Sequence, residues 1–203
     1  MDIRGNICYR LHRLVHSAHS WCTTLAMHTL ALCKGVALGR GCRATGVPYF
    51  YRVPNTQIRL GAGCILRSSF RSNNIGSMQR CRICTITPQG HITIGRKVGI
   101  SAATIVSHKG ITIGDYTQIG AGTVITDSDW HSLAPDAEAR IHGEGRSAEV
   151  SIGYNVFIGT RCLVLKGVTI GDNAVVGAGS VVTHNIPANA IAAGNPCRVV
   201  GHV

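Results

Sequence analysis

Branched aliphatic residues recur every six positions through the second half of this chain. Ile94, Ile100 and Val106 stand six apart, as do Ile113, Ile119 and Ile125. After a gap, Ile152, Ile158, Val164, Ile170, Val176 and Val182 follow without a break. Glycine succeeds the aliphatic residue at 95, 114, 120, 153, 159, 171 and 177, and a mostly small residue (Thr117, Thr123, Cys162, Ser180) stands four positions after it. A period of six fits neither a 3.6-residue helix nor a two-sided strand. It predicts a solenoid in which each hexapeptide forms one short strand and a turn, three of them making a triangular coil. The aliphatic side chain points inward, the glycine permits the turn, and the small residue fills the narrowing corner. Ser107, Thr126, Leu165 and Thr183 stand where the glycine is missing, which supports counting the coils in threes. Fainter echoes at Leu38-Gly39 and Leu60-Gly61 put Cys42 and Cys64 at the small position, like Cys162, and predict them as core filler.

The first 35 residues follow another period. Ile7, Leu11, Leu14, Val15, Ala18, Cys22, Leu25, Ala26 and Cys33 lie along one helical stripe, with Arg10, His12, Arg13, His16 and His19 mostly off it. The pattern predicts an N-terminal helical cap over 1–35, broken near Ser20, closing the open end of a β domain over 36–203. The same stripe also reads as a basic amphipathic helix, making peripheral contact with an anionic membrane through residues 1–33. No run of 18 apolar residues occurs, so no membrane-spanning helix is expected. The best stretch, Trp21 to Leu38, is interrupted by His28 and Lys34, and no signal peptide is expected either.

Composition narrows the field. Hydrophobic residues are 45% of the 203, aromatics 5% and charged residues 14%, too apolar for disorder and suited to a core of branched aliphatics. Nine irregularly spaced cysteines without a secretion signal point to a reducing, cytoplasmic compartment. Cys81-Arg-Ile-Cys84 has no second pair, and no metal is expected. The net charge of +11 is uneven: residues 1–82 hold 12 basic side chains against one acid, residues 83–203 eight against eight. Such a basic part attracts anionic partners. Only Tyr49, Phe50, Tyr51 and Phe70 interleave with its arginines, so the stacking pattern of a nucleic-acid binder is weak and no nucleic acid is expected.

The chemistry is expected where the repeat stops. Counting from Ile125, the next inward position is 131, but the chain reads Thr126-Asp-Ser-Asp-Trp-His131-Ser-Leu and no hexapeptide resumes before Ile152. Residues 131–150 therefore loop out from a corner, and loops on rigid scaffolds carry function. A neutral His131 imidazole there can take a proton from a hydroxyl. Asp127 or Asp129 is near enough in sequence to orient it, and Asp129 occupies a position that is normally small.

These features resemble the hexapeptide-repeat acyltransferases, over roughly residues 58–200. The DxDxH run resembles the catalytic segment of the maltose/galactoside-type and polysaccharide-biosynthesis O-acetyltransferases, and Ile191-Ala-Ala-Gly194-Asn-Pro196-Cys-Arg198-Val-Val resembles the family's C-terminus. The resemblance implies an all-β fold, a left-handed parallel β-helix with an N-terminal helical segment. It implies His131 as general base, Asp129 as its orienter, and acetyl-CoA as acyl donor. The backbones of Thr160 and Ala178 would bond the pantetheine arm, Phe157 would flank it, Gly194 would line the site and Arg198 would approach the phosphates. The family's Lys after Thr183 is here His184, a departure that Lys166 or Arg161 could offset. A homotrimer, with the coenzyme between neighbouring chains, is implied as well. The activity so implied is O-acetylation of a sugar hydroxyl of a surface polysaccharide or its precursor, with acceptor contacts from 131–150 and 40–85. N-acetylation of an amino sugar on a nucleotide remains an alternative, as does a non-catalytic binding module with a basic N-terminal surface. The γ-carbonic anhydrases share the solenoid, but their HxxxxH pair does not occur here.

Overall fold

The computed structural model describes residues 2–72, Ile75 and residues 79–203. Met1 and five positions of the expected acceptor segment (73, 74 and 76–78) lie outside the described residues. One long helix is followed by a stack of short strands in three parallel sheets, two of six strands and one of eight. As far as Val182, a strand pairs with the one three places later in sequence, so each coil of chain visits the three faces in turn.

The register explains the hexapeptide. On the first face Leu60, Ile94, Ile113, Ile152 and Ile170 stack in consecutive rungs. On the second, Leu66, Ile100, Ile119, Ile158 and Val176 do so, and on the third, Phe50, Ile83, Ile105, Ile125, Val164 and Val182. All are buried, and each full burial of such a side chain stabilises by about 1.5–3 kcal/mol. Thr117 and Thr123 occupy corners and tie one coil to the next: their hydroxyls donate to the Gly153 and Gly159 carbonyls at 2.9 Å and accept from the amides of Val156 and Cys162. Cys42, Cys64 and Cys162 are buried at corners as filler. Cys81 is also interior, its thiol donating to the Arg67 carbonyl, and burial pushes it and Cys162 above the ordinary thiol range. The last strand, Arg198–His202, folds back antiparallel on Ala190–Ala193 and ends the second sheet.

Two expectations need correction. The inward residue of the third face is Ile105, paired with Ile125, not Val106, which pairs with Thr126. From Ile100 to Thr104 the corner is one residue shorter than from Ile119 to Val124, the residues that pair with them. Ala103 fills the small position there, fully buried, in place of Thr104.

The helix differs too. Helix α1 runs Ile3–Lys34 without a break at Ser20, capped by Asp2, which accepts from the Gly5 amide, and closed by Gly35 in the left-handed conformation. Its apolar stripe is not the face that docks: Ile7, Leu11, Leu14, Val15, Cys22 and Leu25 are all exposed. Docking uses Ser20, Thr23 and Thr24 together with buried Met27 and Ala31. The reason lies in the surface being covered. Strand Arg43–Thr45 is the edge of the second sheet, and an edge presents unpaired backbone groups. The Ala44 carbonyl accepts from Thr23 Oγ1 at 2.8 Å, and the Ala44 amide donates to Thr24 Oγ1 at 2.9 Å. Hydroxyls meet that need and aliphatic side chains do not.

Candidate functional site

The excursion beside His131 rests on a carboxylate. Asp127 is fully buried and accepts four hydrogen bonds, from Ser107 Oγ (2.8 Å) and from the amides of His108, Lys109 and Gly110 (2.7, 2.8 and 2.6 Å). It thereby welds the end of the third-face strand Val124–Thr126 to the same corner of the preceding coil. Its own carbonyl accepts from Ala148, where the chain returns. Bridges between Ser128 and Ser147 and between His131 and Glu144 close the neck, and a short helix α2 (Ala137–His142), capped by Asp136, forms the tip.

His131 stands exposed at this neck. Its amide donates to the Asp129 carbonyl at 2.8 Å, but among the described residues its ring makes no hydrogen bond to either aspartate. Both Asp127 oxygens serve the corner. Asp129 Oδ1 holds Lys166 Nζ at 2.5 Å, the two side chains 19% and 29% exposed, and its buried Oδ2 has no partner among the described residues. The structure therefore brings together two candidates assigned to different roles, Asp129 and Lys166, and turns the ammonium into the loop. Lys166→Met is expected to cost on the order of 1–3 kcal/mol, because it strands a half-buried carboxylate. Urea denaturation measures this, and a variant as stable as the parent would contradict the pairing.

Trp130, beside His131, has φ +68°, a conformation a bulky residue rarely adopts. Three contacts hold it: its amide to Ser128 Oγ, its indole N–H to Thr126 Oγ1 at 3.2 Å, and the His108 ring edge-on with centroids 4.9 Å apart. Positive φ recurs at other corners of the chain, at Lys97, Tyr116 and Arg161 among them. Trp130 and His108 line a cavity of about 530 Å³ with Thr87, Gln89, Lys109 and Glu144. The His108 Nε2 atom is buried without a partner among the described residues. Part of this wall comes from the loop; among the described residues none of its lining lies in 40–85, and the rest comes from 87–89 and 108–109. Those residues sit at corners of two successive coils, and a pattern search centred on inward aliphatics passes over them; Trp130 was signalled only by its place in the interrupted repeat.

The remaining candidates lie elsewhere. Thr160 and Ala178 follow one another at the corner between the second and third faces, where a Cβ on Gly159 would come within 2.5 Å of the Ala178 nitrogen, so only glycine fits. Phe157 projects from the second face, 51% exposed. The Gly194 amide donates to Ser180 Oγ and its carbonyl accepts from Val181, closing the last coil, with exposed Arg198 just beyond. His131 and Lys166 follow the third-face strands, whereas Thr160 and Ala178 precede them. The width of that face, six residues or roughly 20 Å, separates the two groups within one chain.

Residues 149–184 match the family model described as the hexapeptide repeat of succinyl-transferase. The chain is 44% identical over 100 residues to a galactoside O-acetyltransferase of Escherichia coli (strain K12), covering 49% of this chain and 48% of that protein. It is 38% identical over 124 residues to the galactoside O-acetyltransferase of Lactococcus lactis, covering 57% and 58%. The chain thus spans about half the length of the curated relatives it matches. A solved galactoside acetyltransferase in complex with coenzyme A superposes with TM-score 0.53 at 29% identity, over 82% of this chain and 64% of that one. An N-acyltransferase from Bacillus cereus, at 17% identity and TM-score 0.66 over 86% and 87%, shares the fold. In repeat, sequence and fold the chain is thus similar to hexapeptide-repeat proteins, the galactoside O-acetyltransferases among them.

Proposed function

We propose that the chain is an acetyl-CoA-dependent O-acetyltransferase acting on a sugar hydroxyl, built on a left-handed parallel β-helix. The observation that carries this reading is an exposed His131 at the neck of the corner loop, next to Trp130, which lines a cavity large enough for a sugar ring. Trp130 offers a flat apolar surface to a pyranose, while Gln89 and Lys109 offer polar partners to its hydroxyls. His131 accepts the proton of the attacking hydroxyl as its oxygen bonds to the thioester carbonyl carbon. The proton then goes to the departing sulfur, leaving an ester and a free thiol. Asp129 acts on this site through Lys166 and the backbone turn at His131.

Acetyl-CoA fits the opposite corner. The stacked Thr160 and Ala178 backbones, with Phe157 beside them and Arg198 beyond, form an open edge where an extended arm can lie. Lys166, committed to Asp129, serves the loop in place of the phosphates. Because the two corners are a face apart, the base and the coenzyme edge meet when neighbouring chains pack side by side, as in a homotrimer. The free cysteines and the acetyl-CoA requirement suit the cytoplasm. In the decisive experiment, acetyl-CoA is supplied with neutral and acidic oligosaccharides and with amino sugars, and thiol release is followed. Ester formation on a hydroxyl is expected. Amide formation alone would assign N-acetylation, and no turnover together with no thermal stabilisation by acetyl-CoA would favour a binding module.

A further inference from the structure

Among the described residues, nothing packs over the most apolar face of helix α1. At 100° per residue, Ile7, Leu11, Leu14, Trp21, Leu25 and Leu32 fall within a sector opposite Met27 and Ala31, the residues buried against the first coils. Leu14, Trp21 and Leu32 are 68%, 71% and 83% exposed. The sector runs the whole helix, roughly 48 Å at 1.5 Å per residue, far more than a scatter of single surface hydrophobics. No helix among the described residues is long and apolar enough to cross a membrane.

Charge identifies the occupant. The helix carries Arg4, Arg10, Arg13 and Lys34 and no carboxylate within Ile3–Lys34, and among the described residues none of these cations has an acidic partner. The exposed side chains Arg40, Arg43, Arg59 and Arg67 add further positive charge on the first coils. The spacing Ile7, Leu11, Leu14, Ala18, Trp21, Leu25 would also suit a pair of helices, but pairing two copies sets cation against cation with no acid to answer it. The sector is also wider than a two-residue coiled-coil seam, since Val15, Cys22 and Ala26 flank it. An anionic bilayer supplies both the apolar medium and the countercharge.

We infer that α1 is an interfacial helix that seats the protein on an anionic phospholipid surface, apolar sector down, with the β-stack held above it. This assignment does not depend on the acetyltransferase reading, since vesicle binding needs neither acetyl-CoA nor His131.

The test is co-sedimentation of the full chain with phosphatidylcholine vesicles, with and without phosphatidylglycerol. Binding is expected to the mixed vesicles only, and to weaken as salt is raised. Leu11→Glu/Leu14→Glu is expected to weaken it by about tenfold or more, since two inserted side chains are lost. Arg10→Glu/Arg13→Glu is expected to weaken it as well. Both pairs are exposed, and unchanged circular dichroism and melting temperature report that the variants fold. Undiminished sedimentation of the Leu variant, absence of wild-type binding, or equal binding to neutral vesicles would overturn the assignment. So would a Leu variant whose main change is a smaller particle by light scattering, which would give the face to a second copy.

Discussion

Thiol release from acetyl-CoA in the His131→Ala variant is expected to fall by about 10²–10⁴, the usual worth of a positioned general base. The melting temperature should stay put, because the ring is exposed and makes no side-chain hydrogen bond among the described residues. Activity within a few-fold of wild type would remove His131 from the mechanism. The separation of the two corners adds a second readout. Ala178→Pro deletes one amide of the proposed coenzyme edge, and chains carrying either change alone should be poorly active. Mixed assemblies of the two variants should recover part of the lost activity, because some of their sites combine an intact histidine from one chain with an intact edge from its neighbour. A mixture no more active than its components would show that each site lies within one chain.

The second large effect concerns a residue that touches no substrate. Asp127→Ala leaves one buried hydroxyl and three corner amides without their acceptor. Each stranded buried donor costs on the order of 1–3 kcal/mol, and local relaxation recovers part of the sum. A net loss of at least about 3 kcal/mol is expected, which lowers the melting temperature of a chain this size by on the order of 10 °C. Asp127→Asn, which still accepts but has lost its charge and one oxygen, should fall between. Calorimetry decides the matter; an unaltered transition would mean that the corner is held by the strand ladder alone. The loop neck shares this anchor, so thiol release should drop in both variants even where they remain folded.

Much of the fold was legible because one physical requirement repeats. Each rung needs a branched aliphatic inside, and that need writes itself into the chain at Ile113, Ile119 and Ile125 and again from Ile152 to Val182. The period misplaces the inward residue only at Ile105, where a corner lost a residue and no local signal marks the loss. The helix was legible as a helix but not in its orientation. Hydrophobic patterning assumes that the apolar side seeks the protein, whereas the Ala44 backbone required hydroxyls, and Ser20, Thr23 and Thr24 answered it. Within the candidate site, His131 could be found because the repeat breaks beside it. The Asp127 cluster and the Asp129–Lys166 pair could not, since each joins positions 17 to 37 residues apart that only the coil register makes adjacent.

The short corner between Ile100 and Thr104 bears on how such a chain changes over generations. A missing residue in a helix or a hairpin shifts every later side chain to a new direction. Here Ile105 regains its place opposite Ile125, and the following faces continue in phase. Each coil takes its alignment from the one beneath it, so a length error is corrected within a single strand. The large excursion at 128–147 and the one-residue contraction at 101–104 are therefore the same kind of event at different sizes. Corners are where this architecture can lengthen, shorten and acquire new loops while its interior stays unchanged.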